Sequence, residues 1–298
     1  MQQFRTFDGE TLYYKVWKAG DPIAVIQILT GLAEVTEYYE DFARAAAGSG
    51  FTVYLLEYRK HGRSTASYGE GNLFINYARD QALFLKKIRL EEPGRRVFVM
   101  AHSLGTMVTQ MAFSHTDADW DGVILMGLSH NAYTEEKRKR QLSMAEAAIE
   151  KYGPDAMNDD IYEEVFNHLN DRFAGENSPF SFITSDKDKW EWIASLPYTS
   201  PGYSNRFFKE FVEAWSLLET CGLETYEGRS LPVLILNGSE DVTADLGTYG
   251  DAKLDLLEQA GFEDVESAVY EGLRHSLLQE TLSDIVTGDI LDWIREHL

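Results

Sequence analysis

A serine, an aspartate and a histidine in this chain have the types and spacing needed for a nucleophile with its base. Ser103 is the middle residue of the pentapeptide AHSLG, and Asp241 and His275 each follow a later apolar run. A serine hydroxyl is a weak nucleophile until an imidazole accepts its proton, and a carboxylate orients that imidazole and stabilises its charged form. Together the three residues predict acyl transfer through a covalent intermediate.

The surroundings of Ser103 are typical of a nucleophile elbow. The apolar run 97–101 predicts a buried strand, and the apolar spacing of three and four in residues 104–113 predicts a helix. Small residues flank the turn between them, where bulk would clash with the start of the helix. The same small-x-Ser-x-Gly pattern also occurs in ordinary strand–turn–helix connections, so the other two residues decide the interpretation.

Asp241 and His275 come after the predicted strands 232–236 and 265–270. Carboxyl ends of parallel strands meet at one edge of a sheet, so the three residues are expected to converge there. Their order along the chain, Ser, Asp, His, is the order associated with the α/β-hydrolase sheet and differs from those of the unrelated serine proteases. From the residues alone, Glu240 remains an alternative to Asp241 as the acid.

The other histidines match no catalytic pattern. His102 lies within the elbow and is expected to point away from the serine side chain, and His61 lies in a glycine-containing loop where a turn role is expected. The remaining ones occupy predicted helix, cap or terminal positions: His115, His130, His168 and His297.

Acyl transfer also requires donors for the developing oxyanion. The backbone N–H of Leu104, directly after the serine at a helix start, is one candidate. The second candidate is the N–H of Leu32, in the loop after the predicted strand 23–29, where Gly31 allows close backbone approach.

The elements that position these residues alternate between strands and helices, which predicts an α/β fold with a mostly parallel sheet. The pattern changes at Ser129, and residues 129–227 are predicted to be a helical cap inserted into a core of residues 1–128 and 228–298. The expected strands are 2–7, 11–18, 23–29, 51–57, 97–101, 122–128, 232–236 and 265–270. The expected helices are 38–47, 72–90, 131–151, 160–173, 185–193, 204–220, 248–260 and 277–297.

Composition excludes several classes of protein. A net charge of −22 disfavours nucleic acids and anionic membrane surfaces as partners. No apolar run approaches the roughly 20 residues needed to span a bilayer, so stable membrane insertion is not expected. The N-terminus lacks a signal-peptide core, which predicts a cytoplasmic protein.

Cys221, the single cysteine, allows no disulfide framework or thiolate metal cage and is expected to be a packed thiol. The predicted chemistry requires no metal and no cofactor.

Five segments of the chain resemble motifs of one family. Residues 58–64 (YRKHGRS) are similar to its R-G-H-G-x-S loop, residues 101–105 to its G-H-S-M-G elbow, and residues 238–242 to its G-x-x-D-P-V acid loop. Residues 270–280 (YEGLRHSLLQE) resemble its Y-x-G-x-R-H-E-x-L-N-E loop, and residues 182–186 its W-L-S-R-D cap segment. The family is that of the bacterial lysophospholipase-like proteins and monoacylglycerol lipases, the serine aminopeptidase S33-type α/β-hydrolases.

This resemblance implies that Ser103 is the nucleophile, Asp241 the acid and His275 the base, with Leu32 and Leu104 as oxyanion donors. It implies a carboxylic ester as substrate, such as a monoacylglycerol or lysophospholipid. Aromatic residues of the predicted cap favour an apolar pocket, although packing of cap against core would also account for them: Phe166, Phe173, Phe180, Phe182, Trp190, Trp192, Phe207, Phe208 and Trp215.

The chain departs from the family pattern at three positions. Thr30 replaces a histidine that would brace the oxyanion loop, Ala101 replaces the first glycine of the elbow, and Val242 replaces a proline. Two other functions stay open: an amidase or aminopeptidase of the same fold, and a non-catalytic ligand-binding protein. An amidase would need an acidic residue to receive the substrate amine, for which the candidates are Glu163, Glu164, Glu210 and Glu213.

Overall fold

A computed structural model describes residues 1–128, 135–196 and 203–298 of the chain. Several sequence expectations lie outside these residues: the boundary at Ser129, His130, and the start of the helix expected at 131. The side chain of Cys221 is also outside the description.

An eight-stranded sheet forms the centre of the molecule, in the order β1-β2-β4-β3-β5-β6-β7-β8. The first two strands in that order pair antiparallel with their neighbours, and all pairings from β4 to β8 are parallel. The strands are β1 Gln2–Arg5, β2 Thr11–Trp17, β3 Ala24–Leu29, β4 Phe51–Leu56, β5 Val97–His102, β6 Gly122–Met126, β7 Val233–Gly238 and β8 Val265–Tyr270. The predicted α/β architecture with a mostly parallel sheet is confirmed.

Helices cover both faces of this sheet. The described residues form α1 Glu40–Gly48, α2 Leu73–Glu91, α3 Leu104–His115, α4 Glu135–Tyr152, α5 Asp159–Phe166, α6 Lys187–Ser195, α7 Asn205–Cys221, α8 Thr248–Gln259 and α9 Ser283–Glu296. Of these, α4 to α7 lie between β6 and β7 in the chain. Short 3₁₀ segments are Thr36–Tyr39, Asn167–Glu176, Leu223–Thr225, Val242–Ala244 and Leu277–Gln279. Side-chain caps start some helices; the Asn72 side chain, for example, accepts hydrogen bonds from the second and third N–H groups of α2.

The central strands are buried on both faces, because side chains alternate between two separate apolar clusters. In β3, Val25 and Leu29 belong to the cluster under α2, α3 and α8, whereas Ile26 and Ile28 belong to the cluster under α1 and α9. This explains why the central strands are continuous apolar runs in the sequence. The parallel pairing of β5 to β8 places the carboxyl ends of β5, β7 and β8 at one edge of the sheet.

Between β6 and β7 the described residues contribute helices and no strand to the sheet. Within this helical insertion, α7 packs on α2 through aromatic rings: Phe74 lies 6.1 Å from Phe207 and 5.9 Å from Phe211, measured between ring centroids. Phe207 and Phe208 are completely buried. Much of the aromatic content of the insertion therefore packs against the core.

Two expected helices are interrupted. The helix expected over 160–173 changes at Phe166 into the 3₁₀ segment Asn167–Glu176, in which Phe173 has non-helical dihedral angles. The helix expected over 277–297 is divided at Glu280, whose backbone is extended (φ −89°, ψ 166°). The Glu280 carboxylate there accepts hydrogen bonds from the backbone N–H groups of Arg274 (2.9 Å) and Ser185 (2.8 Å). The division at Glu280 does not follow from helical periodicity, because it involves a contact with Ser185, 95 positions away in the chain.

Candidate active site

Ser103 occupies a strained turn between β5 and α3. Its backbone dihedral angles (φ 49°, ψ −113°) lie in a region that residues other than glycine rarely adopt, and this conformation costs about 1–3 kcal/mol. The turn is held because the Ser103 N–H donates to the carbonyl of Met126, at the end of β6 (3.0 Å). A Cβ atom on Gly105 would lie 2.2 Å from the carbonyl oxygen of Leu29, so only glycine fits where α3 passes β3. Ala101, by contrast, lies within β5 and is fully buried there.

Asp241 and His275 are joined by a hydrogen bond of 2.9 Å between Oδ2 and Nδ1. Asp241 is fully buried after β7, and its second oxygen accepts from the N–H and the hydroxyl of Thr243, both at 2.8 Å. Burial alone would raise the pKa of Asp241, but the His275 imidazole and the Thr243 donors hold that pKa below its ordinary value. A carboxylate in this state orients an imidazole and stabilises its positive charge.

Glu240, the alternative acid, faces away from His275. Its carboxylate accepts two hydrogen bonds from the guanidinium of Arg172 in the helical insertion, at 2.8 and 3.2 Å. The Arg172 side chain holds the pKa of Glu240 below its ordinary value. Of the two neighbouring acids, the geometry therefore brings Asp241 to the imidazole.

The elbow and the histidine loop meet through the residue before the serine. His102 places its ring 4.8 Å from that of His275, and its Nε2 lies 3.1 Å from the His275 carbonyl oxygen. In the described part of the chain, the Ser103 hydroxyl makes no hydrogen bond to the His275 ring. Catalytic hydrogen bonds are often long before substrate binds, so the lack of this bond is compatible with Ser103 as nucleophile and His275 as its base.

Sequence reasoning missed the buried pair of Glu34 and His102. The Glu34 carboxylate lies 2.8 Å from His102 Nδ1, and both side chains are more than nine-tenths buried. Burial alone would lower the pKa of His102, but the Glu34 charge raises it above its ordinary value; the pKa of Glu34 is lowered despite its own burial. Nothing in residues 30–34 alone distinguishes this carboxylate from a surface one. From the sequence, His102 was expected only to point away from the serine side chain.

The two oxyanion candidates follow the carboxyl ends of adjacent strands, β3 and β5. Leu104 is the first residue of α3, so its N–H has no carbonyl partner within the helix. Leu32 lies in the turn after β3, partly buried and packed against the core. Gly31, directly before it, donates its N–H to Glu34 at 2.6 Å, and this bond fixes the turn. Thr30 does not replace the bracing histidine, because its hydroxyl is buried without a hydrogen-bond partner among the described residues.

The helical insertion contacts both loops that carry the acid and the base. Besides Arg172 on Glu240, Glu176 accepts two hydrogen bonds from the guanidinium of Arg274, at 2.7 and 2.8 Å. The backbone N–H of Ser276 donates to Ile183 at 2.8 Å, and the Phe182 ring lies 6.0 Å from the His275 ring. The residues directly before the acid and the base are thus tied to the insertion.

Most candidate amine receptors are already engaged with cationic side chains. Glu210 accepts from Arg206 at 2.6 Å and from the backbone N–H of Leu73. Glu213 pairs with Lys209, and Glu164 with Arg140. Glu163 is exposed on α5.

Two other features lie apart from these loops. A cavity of about 940 Å³ is bordered by Asp8, Lys60, Arg79 and Arg206 and by none of the three predicted catalytic residues. Among the described residues, one group has the composition and spacing of metal ligands: Asp264, Glu266 and His297, whose ligand atoms lie within 4.8 Å of one another. Asp264 precedes β8, at the opposite end of that strand from His275. No helix within the described ranges is long and apolar enough to cross a membrane.

Comparisons with known proteins agree with this fold. Residues 20–282 match the family model described as serine aminopeptidase, S33. A monoacylglycerol lipase from Mycolicibacterium smegmatis is 22% identical over 296 residues, covering 99% of this chain and 96% of the relative. The monoglyceride lipase of Homo sapiens is 27% identical over 295 residues, covering 97% and 88%.

Among solved structures, a highly thermostable carboxyl esterase from Bacillus coagulans superposes with a TM-score of 0.87 at 20% identity, covering 99% of this chain and 97% of the esterase. The family resemblance of the sequence is confirmed: the chain belongs to the serine aminopeptidase S33 family, and it is an α/β-hydrolase of the esterase and monoacylglycerol lipase type.

Proposed function

We propose that this protein hydrolyses carboxylic esters through an acyl-enzyme on Ser103, with His275 as general base and Asp241 as its orienting acid. The observation that carries the proposal is the 2.9 Å hydrogen bond between buried Asp241 and His275, at the same carboxyl edge of the sheet as a strained serine. No metal or cofactor takes part in this chemistry.

The reaction follows from these positions. Ser103 Oγ attacks the ester carbonyl carbon while His275 Nε2 takes its proton, and the carbonyl oxygen becomes an oxyanion that the N–H groups of Leu32 and Leu104 stabilise. The bond to the leaving oxygen then breaks as His275 returns the proton to it, which leaves the acyl group on Ser103. A water molecule, deprotonated by the same imidazole, then attacks the acyl carbon. The bond to Ser103 Oγ breaks as His275 returns the proton to that oxygen, which releases the acid and restores the free serine.

A monoacyl lipid, such as a monoacylglycerol or a lysophospholipid, is the proposed substrate. The relatives named monoacylglycerol lipase and monoglyceride lipase support this class. Apolar side chains near the candidate site, Phe182 beside His275 and Leu32 in the oxyanion loop, suit an acyl chain. Residues 129–227 would then act as the cap over the acyl-binding space, since their segment 172–184 contacts both triad loops.

Amide hydrolysis is the second candidate, favoured by the family description as serine aminopeptidase. An aminopeptidase must bind the free amine of its substrate, and three of the four acidic candidates for that role are paired with Arg or Lys. Hydrolysis of aminoacyl arylamides at a rate comparable with that of acyl nitrophenyl esters would favour the amidase.

The test of the nucleophile is covalent labelling. Wild-type protein treated with a fluorophosphonate probe should carry one label, Ser103→Ala none, and the exposed-serine control Ser49→Ala the full amount. Ester turnover should fall about 10⁶-fold in Ser103→Ala, because the attacking atom is gone. Labelling or turnover that survives this substitution would place the nucleophile elsewhere, and a wild type that neither labels nor turns over esters would favour a ligand-binding protein.

A further inference from the structure

One buried carboxylate connects the oxyanion loop to the elbow. Glu34 accepts hydrogen bonds from the Gly31 N–H (2.6 Å), from the Tyr39 hydroxyl and from His102 Nδ1 (2.8 Å). It retains only 7% of its surface exposure. A buried carboxylate requires such a set of donors, because an unpaired charge in this position would destabilise the fold.

His102 extends the connection to the catalytic loop. Its Nδ1 faces the Glu34 carboxylate and its Nε2 faces the carbonyl oxygen of His275, at 2.8 and 3.1 Å. The carbonyl oxygen can only accept a hydrogen bond, and so can the Glu34 carboxylate in the ionised form that its lowered pKa favours. With both partners accepting, both ring nitrogens carry a proton and the ring is an imidazolium. Its charge is neutralised by Glu34, which matters because His275, with its ring centroid 4.8 Å away, becomes positively charged during the reaction.

The residue that follows β6 leaves space for the hydrogen bond between His102 Nε2 and the His275 carbonyl oxygen. Gly127, the residue after that strand, has φ of +55°, and a Cβ atom there would lie 2.9 Å from the His275 carbonyl oxygen and 3.0 Å from His102 Nε2. A side chain at position 127 would therefore push His102 and His275 apart. The glycine, the imidazolium and the carboxylate form one arrangement that holds the main chain of His275.

We propose that Glu34 is a positioning residue that acts through His102, holding the oxyanion loop and the main chain of His275 in their working geometry. This inference rests on the proposed function of His275 as base. It gives a physical reason for the tolerance of threonine at position 30, because the N–H of Gly31 is fixed by Glu34 and not by the side chain before it.

The variant that tests this is Glu34→Gln, which keeps the shape of the side chain and removes its charge. Tyr39→Phe is the matched control, because it removes one neutral donor from the same carboxylate and leaves the path through His102 intact. With an acyl nitrophenyl ester, kcat of Glu34→Gln should fall about 10- to 100-fold, as for loss of a charge-assisted hydrogen bond, with KM within about threefold. The kcat of Tyr39→Phe should stay within about threefold of wild type.

A second measurement does not depend on turnover. The amide of Gly31 should exchange its hydrogen faster in Glu34→Gln than in wild type, because a neutral amide oxygen accepts more weakly than a carboxylate. Unchanged kcat and unchanged exchange in Glu34→Gln would each overturn the positioning role, as would an equal loss of kcat in Tyr39→Phe. Faster exchange in a protein whose wild type turns over no ester would instead overturn the proposed function and leave the structural connection standing.

Discussion

Two histidine–carboxylate pairs lie side by side at the edge of the sheet, and they differ in what the second ring nitrogen does. His275 is bound to Asp241 and His102 to Glu34, at 2.9 and 2.8 Å, with the rings 4.8 Å apart. Nε2 of His102 is engaged by a backbone carbonyl, whereas the hydrogen bonds described for the His275 ring all involve Nδ1.

This difference separates a positioning pair from a reacting one. A ring whose two nitrogens both donate is locked as an imidazolium and cannot accept a proton from a serine. A ring with Nδ1 held by a carboxylate can accept a proton on Nε2 and return it. Similar composition and burial thus give two roles, and the hydrogen-bond partners decide between them.

Replacing each histidine in turn should give the largest losses of ester turnover and should separate the two roles. His275→Ala should lower ester turnover by about 10⁶-fold, because the base is removed. His102→Asn keeps a donor toward Glu34 but loses the bond to the His275 carbonyl, so turnover should fall about 10- to 100-fold. Initial rates with an acyl nitrophenyl ester measure both. Equal losses in the two variants would mean that His102 itself reacts.

Substitutions at Asp241 and at its neighbour Glu240 test which of the two carboxylates orients His275. Asp241→Asn should lower kcat by about 10⁴-fold, because the amide stabilises the wrong tautomer of His275. Glu240→Gln should keep kcat within about threefold, since it loses only an exposed ion pair with Arg172, which solvent screens. If the larger loss occurs in Glu240→Gln, the assignment of the acid is wrong.

The smallest expected effect is a change in the titration of His102, measured by NMR of labelled imidazoles. In wild type its pKa is raised by Glu34, so the ring keeps its proton to a higher pH than an ordinary histidine. In Glu34→Gln the His275 carbonyl and the Asp241 carboxylate still favour the charged ring, but the Glu34 charge that opposes burial most strongly is gone, so the ring should lose its proton at a lower pH than in wild type. A His102 titration that does not move would show that Glu34 does not set its charge.

The sequence was sufficient to predict the strands of the sheet and the positions in the chain of the loops that carry Ser103, Asp241 and His275. Buried parallel strands are continuous apolar runs, and their order along the chain predicts which loops follow their carboxyl ends. The strands and their order are therefore predicted by periodicity and residue type. Glycine at position 105 was part of the small-x-Ser-x-Gly pattern, but the reason that only glycine fits, the close approach of α3 to the Leu29 carbonyl of β3, is a tertiary contact.

The roles of Glu34, Glu240 and His102 needed the tertiary structure. Glu34 and His102 are 68 positions apart, and Glu240 and Arg172 are also 68 positions apart, so no local pattern joins them. Whether a carboxylate meets an imidazole, a guanidinium or water depends on which loops converge, and its pKa follows from that partner. The sequence alone predicted which residues are candidates to react and which strands they follow. Only the packing of the loops decided which histidine is left with a nitrogen able to take a proton.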